Sequence, residues 1–215
     1  MISKEQYFEE SKKIAEAIAF ATEKHADQKR KCSGLPYLVH PMEVWQILRN
    51  NNCSITVQIA GLLHDIAYCE EMVTREDRMN HGRRSATIAR PFLESLGLSA
   101  DAVNEICYGI AIHVDDEADF QWERTPFCET VGDADNIDRF DAYRIYETLE
   151  YLSFSKMNLD DKREKVGSTI EKLNRFKEMK LGTATAKNLW IQRLDYYIGF
   201  YEKLKAQLDN STAIL

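Results

Sequence analysis

Three observations predict an all-α fold for this chain. Apolar residues recur at intervals of three and four along almost the whole sequence, which is the period of one helix face. Only four prolines and nine glycines occur among 215 residues, so long helices with few tight turns are expected. No stretch of useful length alternates apolar and polar residues as a half-buried strand would. The pattern favours one helical domain with additional C-terminal helices.

Apolar stripes predict the first three helices. The first stripe covers residues 7–21, and Gly34 and Pro36 interrupt the chain after it. A second helix is expected to begin at Pro41, because proline is favoured in the first turn. The third helix is predicted over residues 55–68. It is apolar nearly all round, and therefore it should lie at the centre of the fold.

The fourth and fifth helices are predicted on either side of a Leu-Gly-Leu-Ser turn. His81-Gly82 should precede the fourth helix, which Pro91 is expected to kink or split. Ser99 is a candidate N-cap for the fifth helix. The apolar stripe of that helix ends at His113, so this imidazole should face the core.

The rest of the chain is also predicted to be helical. An acidic loop covers residues 115–123, and it is either a lid or a solvated connection. A long helix is expected over residues 130–152, with Asp135 near its start. Two further helices are predicted over residues 160–179 and 184–208.

Composition limits the class of protein. The chain has 44% hydrophobic and 29% charged residues, with a net charge of −7. The acidic balance argues against a nucleic-acid polymer or a membrane surface as partner. The five cysteines form no Cys-x-x-Cys pair, and the N-terminus lacks a signal-peptide core, so a reduced, cytoplasmic protein is expected.

A single globular unit is the expected domain organisation. Residues 1–155 are expected to form the main domain, and residues 156–215 a helical appendage packed on it. The C-terminal helices carry a stripe of Trp190, Tyr197 and Tyr201, which indicates packing or a homodimer face.

The dipeptide His64-Asp65 is the strongest functional signal. It ends an apolar helical run, where burying a charge without a partner is costly. A divalent metal would account for both side chains. Further residues of the same ligand types are His40 upstream, and His81, His113 and Asp135 downstream.

Imidazoles and carboxylates together favour borderline to hard divalent ions. We expect Mn²⁺ first, with Fe²⁺, Zn²⁺, Ni²⁺ and Mg²⁺ as alternatives, in one or two copies. A bound metal lowers the pKa of water to about 7 and can hold a phosphoryl oxygen as charge develops. This chemistry indicates hydrolysis of a phosphoester or phosphoanhydride. Asp138, three residues after Asp135, is a candidate to orient a ligating histidine.

The order of these ligands resembles the HD superfamily of metal-dependent phosphohydrolases, which implies an HD-domain helical bundle. The resemblance assigns His40, His64, Asp65 and Asp135 to one metal. The stretch that begins with His81-Gly82-Arg83-Arg84 resembles the third-histidine helix of bacterial members. There His81 and His113 either bind a second metal or form a cationic group that contacts the substrate phosphate.

Residues 25–41 narrow the resemblance to the hydrolase domain of RelA/SpoT-type enzymes. The shared pattern is His-x-x-Gln-x-Arg-Lys, then Ser-Gly-x-Pro-Tyr, then His-Pro. Those enzymes remove the 3′-diphosphate from (p)ppGpp with Mn²⁺, and the resemblance assigns Arg30 and Lys31 to substrate binding. Arg83 and Arg84 are either part of a solvated face or a phosphate clamp beside the metal.

The chain departs from the alarmone pattern at three points. One residue is inserted between the basic pair and Ser33, and His81 and His113 belong to the general HD pattern. Where those enzymes carry Glu-Asp, this chain has Tyr68-Cys69. The next two residues, Glu70 and Glu71, are candidates to assist proton transfer.

The sequence therefore supports a phosphohydrolase of a nucleotide or similar small phosphorylated metabolite, with (p)ppGpp as one candidate. Two alternatives remain at this stage. One is an HD-fold di-iron oxygenase, which the two additional histidines permit. The other is a regulatory or binding protein in which the metal serves as a structural staple.

Overall fold

The computed structural model describes residues 3–30 and 33–211. Its regular structure in those ranges is helical, and the only β pairing there is an isolated bridge between Lys29 and Pro36. The predicted all-α fold is confirmed. The helices are α1 (Lys4–Lys24), α2 (Val39–Asn50), α3 (Ile55–Leu63), α4 (Arg75–Ser95), α5 (Ala100–Ile112), α6 (Pro126–Asp138), α7 (Ala142–Tyr151), α8 (Leu159–Phe176) and α9 (Ala184–Asn210), with short 3₁₀ turns at Ile66–Cys69 and Phe154–Lys156.

The described residues fall into two compact units. The first consists of residues 3–30 and 35–138, and the second of residues 33–34 and 139–211. The expected packing of a C-terminal appendage on a main domain stays a prediction.

Helix α3 forms the centre of the first unit. It contacts α1, α2, α5 and α6, and Ile59, Leu62 and Leu63 are completely buried. A helix that is apolar on all sides is stable only where every side is covered, and at the centre of the unit each face of α3 packs against another helix.

The third helix is shorter than the predicted span of 55–68. It ends at Leu63, and a 3₁₀ turn resumes the chain at Ile66. Successive residues of a helix point about 100° apart, so a continuous helix would turn His64 and Asp65 to different faces. The break at Asp65, which has φ −108° and ψ 10°, allows both side chains to face one centre.

The start of the fourth helix was also predicted wrongly. Helix α4 begins at Arg75, so His81 lies inside it. A capping box fixes this start: the Thr74 side chain accepts from the Asp77 backbone N–H, and the Asp77 carboxylate accepts from the Thr74 backbone N–H. Pro91 does not split the helix, which continues to Ser95.

The long helix predicted over residues 130–152 is two helices. Helix α6 begins at Pro126, and α7 begins at Ala142 with Asp141 as its N-cap. Asp135 therefore lies in the last turn of α6, and not near a helix start as predicted.

The second unit contains α7, α8 and α9. Trp190 is 1% exposed, and its indole N–H donates to the carbonyl of Phe176 at 2.8 Å. Tyr197 and Tyr201 are also buried, so the aromatic stripe of α9 packs inside this unit. A homodimer through these helices stays a prediction.

A glycine sets the closest approach of α4 to α5. A Cβ on Gly82 would lie 2.5 Å from the carbonyl oxygen of Ala111 and 3.2 Å from Nδ1 of His113. A backbone oxygen cannot move as a side chain would, so only glycine fits here.

Gly82→Ala should lower the free energy of unfolding by about 1–3 kcal/mol, because the two helices must separate. Gly132→Ala is the matched control, since its nearest neighbour is the carbonyl oxygen of His113 at an ordinary 3.4 Å. Chemical denaturation of both variants measures the difference. Equal stabilities would contradict the close packing at Gly82.

Candidate metal centre

Six side chains that can bind metal meet inside the first unit. His40 comes from α2, His64 and Asp65 from the break after α3, and Asp135 from α6. His81 comes from α4 and His113 from the end of α5. Five separate segments of the chain thus bring to one place all the residues that the sequence analysis proposed as ligands.

The Asp65 carboxylate lies at the middle of this group. Its Oδ2 is 3.4 Å from Nε2 of both His40 and His64. Its Oδ1 is 2.9 Å from Nε2 of His81 and 3.6 Å from Nε2 of His113. The arrangement is therefore two triads, His40–His64–Asp65 and His81–His113–Asp65, which share Asp65.

The other nitrogen of each imidazole, Nδ1, is held by an acceptor. A carbonyl or a carboxylate can only accept, so Nδ1 must donate, and Nε2 carries the lone pair whenever the ring is neutral. Three of the Nδ1 atoms donate to the helix carbonyl three residues earlier: His64 to Gly61 at 2.8 Å, His81 to Arg78 at 2.6 Å, and His113 to Ile110 at 2.6 Å. Nδ1 of His40 donates instead to Oδ2 of Asp138 at 2.8 Å.

In the neutral form of these imidazoles, which is the form that binds metal, the lone pairs therefore face each other across the centre. Nε2 of His40 is 3.2 Å from Nε2 of His64, and Nε2 of His81 is 3.1 Å from Nε2 of His113. Two neutral acceptors at this distance cannot form a hydrogen bond, whereas a cation between them, either a proton or a metal ion, would satisfy both. The donor set of imidazole nitrogen and carboxylate oxygen fits a divalent ion in each triad.

Two further aspartates lie next to His40 of the first triad. Oδ1 of Asp135 is 3.1 Å from Nε2 of His40 and 3.9 Å from Nε2 of His64. Asp138 orients His40, as the sequence analysis proposed. Both aspartates are buried, and buried carboxylates require compensating positive charge.

The electrostatics of the cluster depend on these contacts. Burial acts to raise the pKa of Asp65, but the electrostatic influence of His64 and hydrogen bonds from the other imidazoles hold that pKa well below its usual range. Burial alone would lower the pKa of His40, yet hydrogen bonds to Asp135, Asp138 and Asp65 raise it well above its usual range. Complete burial lowers the pKa of His64 to about 4.

Tyr37 is a member of the site that the sequence analysis did not identify. Its hydroxyl donates to Oδ2 of Asp65 at 2.7 Å. Burial and the charge of Asp65 raise the pKa of Tyr37, so the hydroxyl keeps its proton. The ring lies 5.2 Å from that of Tyr68, which in turn lies 4.8 Å from that of His81.

Hydrogen bonds of Gln28 fix the segment that carries Tyr37. Nδ1 of His25 lies 2.8 Å from Oε1 of Gln28, and Nε2 of Gln28 donates to the carbonyl of Tyr68. The carbonyl of Gln28 accepts from the backbone N–H of Tyr37 at 2.9 Å. His25 is 1% exposed, and its Nε2 has no hydrogen-bond partner among the described residues.

The proposed substrate-binding arginines of α4 are paired with acids. Arg83 donates to both carboxylate oxygens of Asp115 at 3.0 Å, which ties the acidic loop to α4. Arg84 pairs with Glu70, and its Nη1 lies 3.3 Å from Oδ1 of Asp77. All of these ion pairs lie outside the histidine cluster.

Of the remaining proposed residues, Arg30 precedes α2 and Glu71 follows the 3₁₀ turn. The Arg30 backbone N–H donates to the carbonyl of Leu35 at 2.8 Å, next to the Lys29–Pro36 bridge. Glu71 is exposed. Lys31, the other proposed basic residue, lies outside the described residues.

Residues 37–143 match the family model of the HD domain. This chain belongs to the HD superfamily. The family predicted from the ligand order is therefore confirmed.

Two solved structures share the HD fold of this chain. One is a predicted HD superfamily hydrolase from an uncultured Thermotogales bacterium, 20% identical with a TM-score of 0.61 over 90% of this chain and 91% of that one. The other is Bacillus subtilis YpgQ in complex with ADP, 17% identical with a TM-score of 0.61 over 93% of this chain and 96% of that one.

Curated relatives match part of the chain. A guanosine-3′,5′-bis(diphosphate) 3′-pyrophosphohydrolase of Aquifex aeolicus is 35% identical over 38% of this chain. A putative GTP diphosphokinase, RSH1, of Oryza sativa is 41% identical over 32% of it. The chain covers only 12% and 8% of these two relatives. Among the described residues, no helix combines the length and apolar character that crossing a membrane requires.

Metal binding by this HD protein should release protons at pH 7. His40 has a pKa above its unfolded value, so its protonation stabilises the metal-free fold at acidic pH, and this contribution is lost as the pH rises through the folded pKa. A metal must displace that proton, and therefore affinity should rise with pH. Calorimetry of Mn²⁺ binding in buffers of different ionisation enthalpy should measure a net release of protons.

Asp138→Asn is the control for proton release. It removes the negative charge beside Nδ1 of His40 but keeps an acceptor there, so fewer protons should leave at pH 7. Equal proton release from the wild type and the variant would contradict the assignment to His40.

Proposed function

We propose that this protein is a metal-dependent phosphohydrolase that cleaves a phosphoester or phosphoanhydride of a nucleotide or similar small metabolite. The observation that carries the proposal is the convergence of four imidazole Nε2 atoms on one shared carboxylate, Asp65. A structural staple would need only one such set of ligands. Two sets are the arrangement expected where ions hold and polarise a phosphoryl group.

The centre is proposed to hold two divalent ions, with Mn²⁺ as the first choice. His40, His64, Asp65 and Asp135 are the proposed ligands of the first position. His81, His113 and the other oxygen of Asp65 are those of the second. When bound, the ions would supply positive charge for phosphoryl oxygens and lower the pKa of a water molecule.

Basic side chains are proposed to bind the phosphates of the substrate. Arg84 lies three residues after His81 on α4, so the two residues are neighbours on one helix face. Its ion pair with Glu70 is partly exposed, and such pairs contribute little stability, so a phosphate can replace the carboxylate. Arg30, next to the Lys29–Pro36 bridge, is proposed as a further phosphate contact, and so is Lys31 from the sequence pattern.

A guanine nucleotide with a diphosphate group is the favoured substrate class. The Aquifex relative is named for hydrolysis of a guanosine bis(diphosphate), and YpgQ was solved with ADP. (p)ppGpp is therefore the first substrate to test. Tyr68 occupies a position where the alarmone pattern has Glu, and its ring packs on that of His81. Tyrosine cannot replace the carboxylate, so proton transfer is assigned to one of the glutamates that follow, Glu70 or Glu71.

Asp65→Ala should abolish product release, because both proposed ion positions lose their shared ligand. Mn²⁺-loaded protein should be tested with (p)ppGpp, nucleoside mono-, di- and triphosphates, and cyclic dinucleotides, and the pyrophosphate and phosphate released should be measured. Circular dichroism should show that the variant is folded. Activity lost in the variant supports the proposal, whereas no release from any substrate by the metal-loaded wild type would refute it and favour the oxygenase or binding alternatives.

Glu70→Gln should lower kcat by about 10²-fold or more, as expected for loss of a group that assists proton transfer. The contact of Glu70 with Arg84, one turn beyond His81, places Glu70 beside the proposed phosphate-binding side chain, whereas Glu71 has no such contact among the described residues. Glu71→Gln is thus the matched control and should change kcat little. Equal losses in both variants would contradict this assignment.

A further inference from the structure

One hydrogen bond restricts the rotation of the central carboxylate. The hydroxyl of Tyr37 donates to Oδ2 of Asp65 at 2.7 Å. The centroid of the Tyr37 ring lies 5.2 Å from that of His25 and 5.2 Å from that of Tyr68. Its backbone N–H donates to the carbonyl of Gln28. The donor is thus fixed by its ring packing and by its backbone.

The restricted rotation matters because the two oxygens of Asp65 face different histidine pairs. Oδ2 faces His40 and His64, and Oδ1 faces His81 and His113. A carboxylate free to rotate can instead place both oxygens on a single ion. The hydrogen bond from the tyrosine opposes that rotation, because it would be lost.

The two positions differ in how much they depend on Asp65. The first has a second carboxylate close by, since Oδ1 of Asp135 is 3.1 Å from Nε2 of His40. Among the described acidic and thiol side chains, only Asp65 groups with His81 and His113. Turning Asp65 away would therefore leave the second position with two neutral imidazoles, which hold a divalent ion weakly.

We propose that Tyr37 is a positioning residue that keeps Asp65 shared between the two positions, so that filling the second position depends on Tyr37. The inference rests on the proposed two-ion centre. It assigns a role to a residue that acts through the proposed ligand Asp65, to which its hydroxyl donates. Outer partners of metal ligands typically contribute about 10- to 100-fold in metal affinity.

The test is calorimetric titration of the metal-free full chain with Mn²⁺. In Tyr37→Phe, the first ion should bind within about threefold of the wild-type affinity, and the second about 10- to 100-fold more weakly. The phenyl ring keeps the contacts with His25 and Tyr68, so the fold should be retained. Tyr108→Phe is the matched control, because Tyr108 contacts Phe120 away from the centre, and both ions should bind it as they bind the wild type.

Two further variants show which of the two Mn²⁺ binding events belongs to which ion position. His81→Ala should remove the second event and leave the first. Asp138→Ala should weaken the first event, because it removes the partner of Nδ1 in His40. The exchange-coupled Mn²⁺ signal in electron paramagnetic resonance reports the two-ion state and should decline in Tyr37→Phe at subsaturating metal.

The outcomes separate this inference from the proposed function. Two ions that bind Tyr37→Phe as they bind the wild type would overturn the role of Tyr37 and leave the two-ion centre intact. Equal weakening of both ions would also overturn it, because the effect would not be specific to a position. A wild-type stoichiometry of one, unchanged in His81→Ala, would overturn the two-ion centre itself and the inference with it.

Discussion

The structure of the first unit depends on the burial of one carboxylate, Asp65, among four imidazoles. An isolated buried charge is costly, and the surrounding groups compensate for this one through close electrostatic contacts. Each imidazole is in turn fixed at its far nitrogen by a carbonyl or by Asp138. The site is therefore organised in two layers, and the outer layer consists largely of helix carbonyls that the fold supplies without additional side chains.

This requirement explains features of the fold that helix propensity does not. Helix α3 stops at Leu63 although its sequence favours continuation, because His64 and Asp65 must face the same centre. Gly82 allows α4 to approach α5 closely enough for the imidazoles of His81 and His113 to meet. Local preferences have been overridden at the functional site, where such conflicts are expected.

Much of the fold and most of the proposed ligands could be predicted from the sequence, for identifiable reasons. The helical period was clear, and few histidines occur outside the ligand pattern. Thr74 and Asp77 carry a capping signal that could have placed the start of α4 correctly. Tyr37 gave no comparable signal, because its contact with Asp65 joins residues 28 positions apart through tertiary packing alone. The pairing of Arg84 with Glu70 is likewise a property of the folded surface.

The ligands come from five segments that an unfolded chain keeps apart. An ion that binds only the folded state adds to its stability by mass action, by about 2.7 kcal/mol when free metal is a hundredfold above its dissociation constant. The folded population of this protein would then follow the supply of free metal around it. In a cell short of that metal, proteases would meet the opened chain more often, so the abundance of the protein would fall together with the ion that its proposed chemistry needs.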